Sequence, residues 1–199
     1  MPVINFVTPC ILDHGAITKL GKTMAGLNIT KGFVVTDPGI KQVGLLDKVT
    51  ENISGAYEVF AGTEPNPTEK QVTEVTAMYK ESGCDGIIAL GGGSSMDLAK
   101  AVGLMASHGG NLADYGATVG GSKKIGEIPP LIAIPTTAGT GSEGSVGMII
   151  IQNDGHKQTY ASPNLVPATA ICDPDLTLGL PPLLTAATGM DAVTHCIEA

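Results

Sequence analysis

Short apolar runs alternate along the first two thirds of the chain with segments whose apolar residues recur at helical spacing. The apolar runs predict strands at 32–37, 56–62, 86–90 and 131–135. The periodic segments predict helices at 68–83, with Val72, Val75, Met78 and Tyr79 on one face, and at 94–105, with Leu98, Val102 and Met105 on one face. Because strands that alternate with helices form parallel sheets covered on both sides, the pattern predicts an α/β fold.

The pattern changes after residue 143. Three successive strands are predicted at 146–151, 157–162 and 168–173, with no helix between them. From residue 182 the sequence becomes helical, and Thr185 is the predicted N-cap. We therefore divide the chain into an α/β domain over 1–181 and the first helix, 182–199, of a second domain. Since one helix cannot form a domain, we expect the sequence to be part of a longer protein.

Composition narrows the classes of partner and location. The net charge is −8 and no cluster of basic residues occurs, which argues against nucleic-acid binding. No apolar run approaches the roughly 20 residues that span a bilayer, so a membrane partner is not expected. The first ten residues lack the pattern of a signal peptide, and the four cysteines are scattered without a C-x-x-C motif. These features predict a cytoplasmic protein.

The stretch "GGGSS" (91–95) joins a predicted strand to a predicted helix. Glycines let backbone N–H groups approach a phosphate, and the helix N-terminus adds unpaired donors and partial positive charge. Ser94 and Ser95 could cap the helix and donate to phosphate oxygens. The alternative is a tight turn that needs glycine for its dihedral angles. The stretch is not G-x-G-x-x-G, because Met96 stands at the third glycine position, and it lacks the P-loop lysine.

Two further polar segments follow predicted strands. Asp37 could accept hydrogen bonds from a ribose diol, or it could be the first residue of a turn before Pro38 and Gly39, and the sequence does not separate these. The stretch "PTTAGTGSE" (135–143) offers small hydroxyls suited to phosphate or to a nicotinamide amide. Loops at several strand ends predict one extended ligand across the carboxyl edge of the sheet.

Asp191 and His195 lie four residues apart in the last predicted helix, so both side chains lie on one face. This spacing suits two ligands of one metal ion, although a metal site usually needs more. Four stretches in order resemble the iron-containing, group III alcohol dehydrogenase family: "EPNPT" (64–68), "GGGSSMDLAK" (91–100), "IPTTAGTGSE" (134–143) and "LTAATGMDAVTHCIEA" (184–199).

The resemblance implies a nucleotide-binding domain of the dehydroquinate-synthase-like type, followed by an all-helical metal-binding domain. It implies an NAD(H)-linked dehydrogenase of small primary alcohols or diols, or an aldehyde reductase, that uses Fe²⁺. Zn²⁺ is an alternative, because an Asp/His site binds Zn²⁺ more tightly on affinity alone. We expect the full-length protein to be a homo-oligomer. The implied residues are Asp37 for the adenine ribose, Asn66 beside the cofactor, Gly92, Gly93 and Ser94 for the pyrophosphate, Thr136, Thr137 and Thr140 for the phosphates or nicotinamide, Lys157 for the nicotinamide ribose, and Asp191 and His195 for the metal.

Other functions remain open at this point. In the family the other two metal ligands are histidines further along the chain, so the 199 residues alone are expected to be inactive. They could therefore act only as a nucleotide-binding fragment. A metal-independent reductase of the maleylacetate reductase type is another alternative, although the Asp191–His195 pair argues against it. His14, His108 and His156 match no family ligand and are predicted to lie at the surface.

Overall fold

Six of the eight strands form one parallel sheet in the computed structural model, which describes residues 8–198. The strands are β1 (Cys10–Leu12), β2 (Lys31–Val35), β3 (Ala56–Phe60), β4 (Gly86–Gly91), β5 (Leu131–Pro135), β6 (Gly147–Ile151), β7 (Lys157–Ala161) and β8 (Thr169–Cys172). The α-helices are α1 (Leu20–Gly26), α2 (Pro38–Gln42), α3 (Leu45–Thr50), α4 (Glu69–Ser82), α5 (Gly93–His108) and α6 (Pro182–Glu198). Short 3₁₀ helices cover Ala16–Lys19, Leu112–Tyr115, Ala117–Val119, Gly121–Lys124, Pro163–Leu165 and Pro174–Leu176.

The order of strands in the sheet is β1-β8-β5-β4-β2-β3. Every pair is parallel, with Val34 opposite Ile88 and Ile88 opposite Ile132. The α/β prediction is therefore confirmed. The order also places β2 directly beside β4. The residues that follow β2 therefore lie next to the stretch at 91–95, here called the glycine loop, although they precede it in sequence.

Alternating residues of the central strands supply two separate apolar cores. All six residues of β4 are buried, as its continuous apolar sequence predicts. Ile87 and Ala89 pack into a core shared with α4 and α5, whereas Ile88 and Leu90 pack into a core shared with α1 and α3. Because side chains alternate across a strand, β4 packs into both layers, and the stretch at 91–95 begins at its end.

Helix α4 begins and ends as its sequence predicts. The Thr68 hydroxyl accepts a hydrogen bond from the Gln71 N–H at 3.2 Å, and Gly83 ends the helix in the left-handed conformation. Three of its four predicted core residues are buried, but Met78 is 43% exposed and Thr76 is buried instead. The prediction was wrong at Met78 because the buried stripe runs through 72, 75, 76 and 79.

Helix α5 is buried on nearly every side rather than along one face. Its buried residues are Ser95, Met96 and all those from Leu98 to Leu104, whereas Met105 is only half-buried. The helix lies between the sheet, α4 and β6. The amphipathic prediction was therefore too narrow, because a helix enclosed by three elements has no polar face.

The predicted strands at 146–151 and 157–162 form a separate antiparallel hairpin, β6–β7, outside the main sheet. Strand β8 then returns to the sheet between β1 and β5. All three strands were placed correctly by the sequence, but their pairing was not predicted.

Helix α6 begins at Pro182, three residues before the predicted N-cap. Thr185 is thus inside the helix, where its hydroxyl donates back to the Pro181 carbonyl at 3.2 Å, and the capping prediction was wrong. None of the residues described in α6 is buried. The division of the chain after residue 181 stays a prediction. Within 8–198, no helix is long and apolar enough to cross a membrane.

Candidate nucleotide site and metal ligand pair

A cavity of about 530 Å³ opens at the carboxyl ends of β2, β4 and β5. Six of the predicted cofactor residues line it: Asp37, Gly92, Gly93, Ser94, Thr136 and Thr137. Its other wall is apolar and was not predicted from the sequence; it includes Ile40, Val43, Leu45, Leu176, Leu180 and Leu184. A polar edge facing an apolar wall suits a ligand with a flat, apolar ring at one end and charged or hydroxyl groups at the other.

Glycine is required at two positions where β4 passes into α5. Gly91 has φ 143°, which L-residues rarely adopt, and a Cβ there would lie 2.6 Å from Ser95 Oγ. A Cβ on Gly93 would lie 2.9 Å from Thr140 Cγ2. The turn requirement therefore explains Gly91. Close approach of the stretch at 135–143, here called the second polar loop, explains Gly93.

The start of α5 presents N–H groups without a side-chain cap. The N-cap is Gly92, and no described side chain bonds to the first turn. The prediction that Ser94 or Ser95 caps the helix was wrong, because Ser94 Oγ instead accepts from the Asn66 N–H at 3.3 Å. Uncapped N–H groups at a helix start favour a bound anion. This end of α5, which faces the cavity, therefore fits a phosphate.

Asp37 has the turn role that its sequence left open, and its ribose role stays a prediction. One carboxylate oxygen, Oδ1, accepts from the Ile40 N–H at 3.0 Å, which makes Asp37 the N-cap of α2. Among residues 8–198, none donates a hydrogen bond to Oδ2. This oxygen lies on the β4 side, 3.2 Å from where a Cβ on Gly91 would stand. Asp37 thus combines a capping role with an acceptor that remains for a ligand hydroxyl.

Asn66 and Lys157 join the hairpin to the glycine loop, although neither lines the cavity. Lys157 Nζ donates to Asn66 Oδ1 at 2.9 Å, and the Asn66 N–H donates to Ser94 Oγ. Asn66 has φ 56°, a left-handed conformation that asparagine tolerates better than most residues. The contacts place Lys157 beside the start of α5 even though it lies far away in sequence.

The second polar loop lies against the first. The Thr136 N–H donates to the Gly91 carbonyl at 3.0 Å, and Thr136 is almost fully buried. Thr137 and Thr140 lie next to Gly92 and Gly93, respectively. Thr140 Oγ1 also accepts from the Ser142 N–H at 3.3 Å. The two loops therefore form one continuous surface along the sheet edge.

Asp191 and His195 lie on one face of α6, with Oδ1 and Nε2 3.8 Å apart and both side chains largely open to solvent. Within the part of the chain that the structure describes, no group of three or more His, Cys, Asp or Glu side chains is arranged to hold a metal. The carboxylate and imidazole fit two ligands of a divalent metal, and their spacing agrees with the sequence argument.

Two charged residues of α5, Asp97 and Lys100, were not predicted as part of the site. Both contact Ser142, near the end of the second polar loop. A signal was present, because each is a charge in a helix that is otherwise almost wholly apolar. Of the histidines, His14 and His156 are exposed as predicted, but His108 is half-buried and accepts from the Gly126 N–H at 2.9 Å. The surface prediction was wrong for His108, because a loop covers it.

Comparisons with known proteins give one consistent result. The family model described as "Iron-containing alcohol dehydrogenase" matches residues 8–174. The chain is 47% identical to 4-hydroxybutyrate dehydrogenase from Cupriavidus necator, over all of this chain and 52% of that protein. It superimposes on a crystal structure of 1,3-propanediol oxidoreductase with a TM-score of 0.92 and 33% identity, over 98% of this chain and 52% of that one.

A third relative has a bound nucleotide in its solved structure. Sulfoacetaldehyde reductase from Bifidobacterium kashiwanohense, in complex with NAD⁺, aligns with a TM-score of 0.89 and 29% identity, over all of this chain and 53% of that one. The chain spans about half the length of the curated relatives it matches.

Proposed function

Because the chain belongs to the iron-containing alcohol dehydrogenase family, we propose that it is the NAD(H)-binding half of a metal-dependent alcohol dehydrogenase. The activity proposed for the whole protein is hydride transfer between NAD(H) and a small primary alcohol or diol, or the corresponding aldehyde.

The observation that carries this proposal is the order of the strand ends along the sheet. Asp37 follows β2, the glycine loop follows β4, and the Thr136–Thr140 loop follows β5, and these three strands are neighbours. A dinucleotide laid across this edge would meet a carboxylate at its adenine ribose, helix N–H groups at its pyrophosphate, and small hydroxyls at its nicotinamide half. The apolar wall suits the adenine ring.

The proposed residues divide between the two halves of the cofactor. We assign Asp37 to the adenine ribose, Gly92, Gly93 and Ser94 to the pyrophosphate, Thr136, Thr137 and Thr140 to the phosphates or nicotinamide, and Asn66 and Lys157 to the nicotinamide side. The Lys157–Asn66 contact supports the last assignment, since it brings the lysine beside the start of α5. When bound, NAD(H) supplies the hydride chemistry, and these residues supply binding and orientation.

Asp191 and His195 are proposed as two ligands of the metal. A carboxylate with an imidazole suits Fe²⁺ and also Zn²⁺, which binds such donors more tightly on affinity alone. When bound, the metal supplies Lewis-acid activation of the alcohol. The two side chains orient that ion from one face of α6.

The substrate class, assembly and location are further proposals. The name of the Cupriavidus necator relative contains 4-hydroxybutyrate, which is a primary alcohol. This supports a primary alcohol as the substrate here. A homo-oligomer and a cytoplasmic location stay predictions of the sequence.

Titration of the 199-residue chain with NADH tests the nucleotide site. Gly93→Val places a branched side chain against Thr140 and at the proposed pyrophosphate position, so we expect NADH binding to be lost and stability to fall by about 1–3 kcal/mol. Gly26→Val is the matched control, because a Cβ there meets nothing within 4 Å. A folded Gly93→Val variant that binds NADH as tightly as wild type would show that the loop is only a turn.

A second candidate function is nucleotide binding without turnover by these 199 residues. The observation in its favour is that residues 8–198 bring together only two of the side chains that a metal site needs. Alcohol oxidation with added Fe²⁺ or Zn²⁺, assayed on this chain and on a longer protein that contains it, separates the two candidates, because only the first expects turnover by the longer protein. NADH binding without turnover by this chain, with turnover by a longer protein that contains it, is the expected result.

A further inference from the structure

Lys100 is a fully buried cation in the middle of α5. Its Nζ donates to the main-chain carbonyls of Ser142, Ser145 and Gly147, each at 2.8 Å. Ser142 Oγ lies 3.3 Å from the same nitrogen. A buried ammonium is costly unless all its protons have partners, and here three carbonyls receive them. Burial lowers the pKa of Lys100 to about 8, which still leaves it cationic at pH 7.

Asp97, one turn earlier in α5, bonds to the same segment. Its Oδ1 accepts from Ser142 Oγ at 2.8 Å, and its Oδ2 accepts from the Ile149 N–H at 2.9 Å. Together the two side chains make five hydrogen bonds at 2.8–2.9 Å to residues 142–149. The segment is therefore fixed to a helix that itself begins at the glycine loop.

The fixed segment connects the two parts of the proposed nicotinamide side. On one side it continues into the loop that bears Thr140, whose Oγ1 accepts from the Ser142 N–H and whose Cγ2 lies against Gly93. On the other side it continues into the β6–β7 hairpin, which bears Lys157. The bonds of Lys100 and Asp97 thus contribute to fixing both parts relative to the glycine loop.

We propose that Lys100, supported by Asp97, is a positioning residue that fixes the Thr136–Thr140 loop and the β6–β7 hairpin for the nicotinamide half of NAD(H), without touching the cofactor. The inference rests on the proposed function. It differs from a general structural role because the adenine side is built by Asp37 and the β2 and β4 ends, to which Lys100 makes no hydrogen bond in the described structure.

Two probes separate the halves of the cofactor: ADP, which has only the adenine half and its phosphates, and NADH. Calorimetric titration of the 199-residue chain carrying Lys100→Met is expected to show NADH affinity lower by about 10-fold or more, because three buried carbonyls lose their donor and the loop shifts. ADP affinity is expected to stay within about 2-fold of wild type. Lys80→Met, an exposed lysine on α4, is the matched control and is expected to change neither.

A milder pair of variants serves if Lys100→Met does not fold. Ser142→Ala removes the hydroxyl that bonds to Asp97, and Ser142→Thr keeps it. We expect Ser142→Ala to weaken NADH more than ADP and Ser142→Thr to restore the wild-type ratio. Equal loss of both ligands, or no loss of either, in folded variants would overturn the positioning role. Failure of the wild-type chain to bind NADH would instead refute the proposed function on which this role rests.

Discussion

Asp37 offers a test that separates a structural role from cofactor recognition at one residue. Its Oδ1 caps α2 through the Ile40 N–H, while Oδ2 receives no hydrogen bond from the described residues. Asparagine caps helices about as well as aspartate, so Asp37→Asn keeps the cap and removes the negative charge. Asp37→Ala removes both.

The two variants should differ in stability and agree in binding. Loss of the cap in Asp37→Ala should cost about 1 kcal/mol, which lowers the Tm of a chain this long by about 2–4 °C. A hydrogen bond from a ribose hydroxyl to a carboxylate contributes about 1.5–3 kcal/mol. Both variants should therefore bind NADH about 10- to 100-fold more weakly, while only Asp37→Ala melts at a lower temperature.

The assay measures the affinity of each variant for NADH and NADPH by titration, and its Tm by thermal unfolding. Asp47→Asn is the control, because Asp47 is an exposed acid in the first turn of α3. Wild type should prefer NADH, since the Asp37 carboxylate repels a 2′-phosphate, and Asp37→Asn should narrow that preference. Equal affinity of wild type for NADH and NADPH would refute the reasoning. An Asp37→Asn variant that binds NADH as tightly as wild type would also refute the reasoning, because capping would then be the whole role of Asp37.

Two other predictions concern the His14–Asp175 pair and the proposed metal ligands on α6. The hydrogen bond to Asp175 raises the pKa of His14, so NMR titration of Asp175→Asn should show the His14 pKa falling towards about 6.5. Because the folded-state pKa is raised, any stability from this pair is present below about pH 6.5 and is lost as pH rises through the folded-state pKa. An unchanged His14 pKa in the variant would contradict the contact. We expect calorimetry to show no tight, stoichiometric binding of Zn²⁺ or Fe²⁺ by the 199-residue chain, because the proposed pair on α6 supplies two ligands and two ligands rarely hold a metal. One tightly bound ion per chain would mean that another residue or a second copy completes the site.

The sequence predicted the central strands well because their signal is local. The run from Gly86 to Leu90 is apolar at every position after its first glycine and is followed at once by the loop, and β4 spans those residues. Helices α2 and α3, of five and six residues, were not predicted, and neither was β1 with three. Elements this short depend on contacts with the rest of the fold rather than on their own periodicity.

The parts of the candidate site that lie in sequence motifs could be predicted. The parts formed by main-chain groups far away in sequence could not. Glycines and threonines after strands identified both loops, but the carbonyls that surround Lys100 lie 42–47 residues further along the chain and have no side-chain signature. The same holds for the apolar wall of the cavity, to which Leu176 and Leu180 contribute from the segment after β8. Such contacts follow from topology, which the pattern of apolar residues does not specify.

The contact between α6 and the second polar loop brings the proposed metal ligands near the proposed nucleotide site. A Cβ on Gly139 would lie 2.9 Å from the Thr188 carbonyl oxygen, so the glycine lets the helix approach the loop backbone closely. A helix rises 1.5 Å per residue, which places Asp191 and His195 about 4.5 and 10.5 Å along the axis from Thr188. Hydride transfer needs the reacting atoms within about 3.5 Å. The proposed ligand pair begins, at Asp191, less than one helical turn along α6 from the residue that contacts Gly139. This short separation suits the proposed transfer between an alcohol at the proposed metal site and a nicotinamide held by the second polar loop.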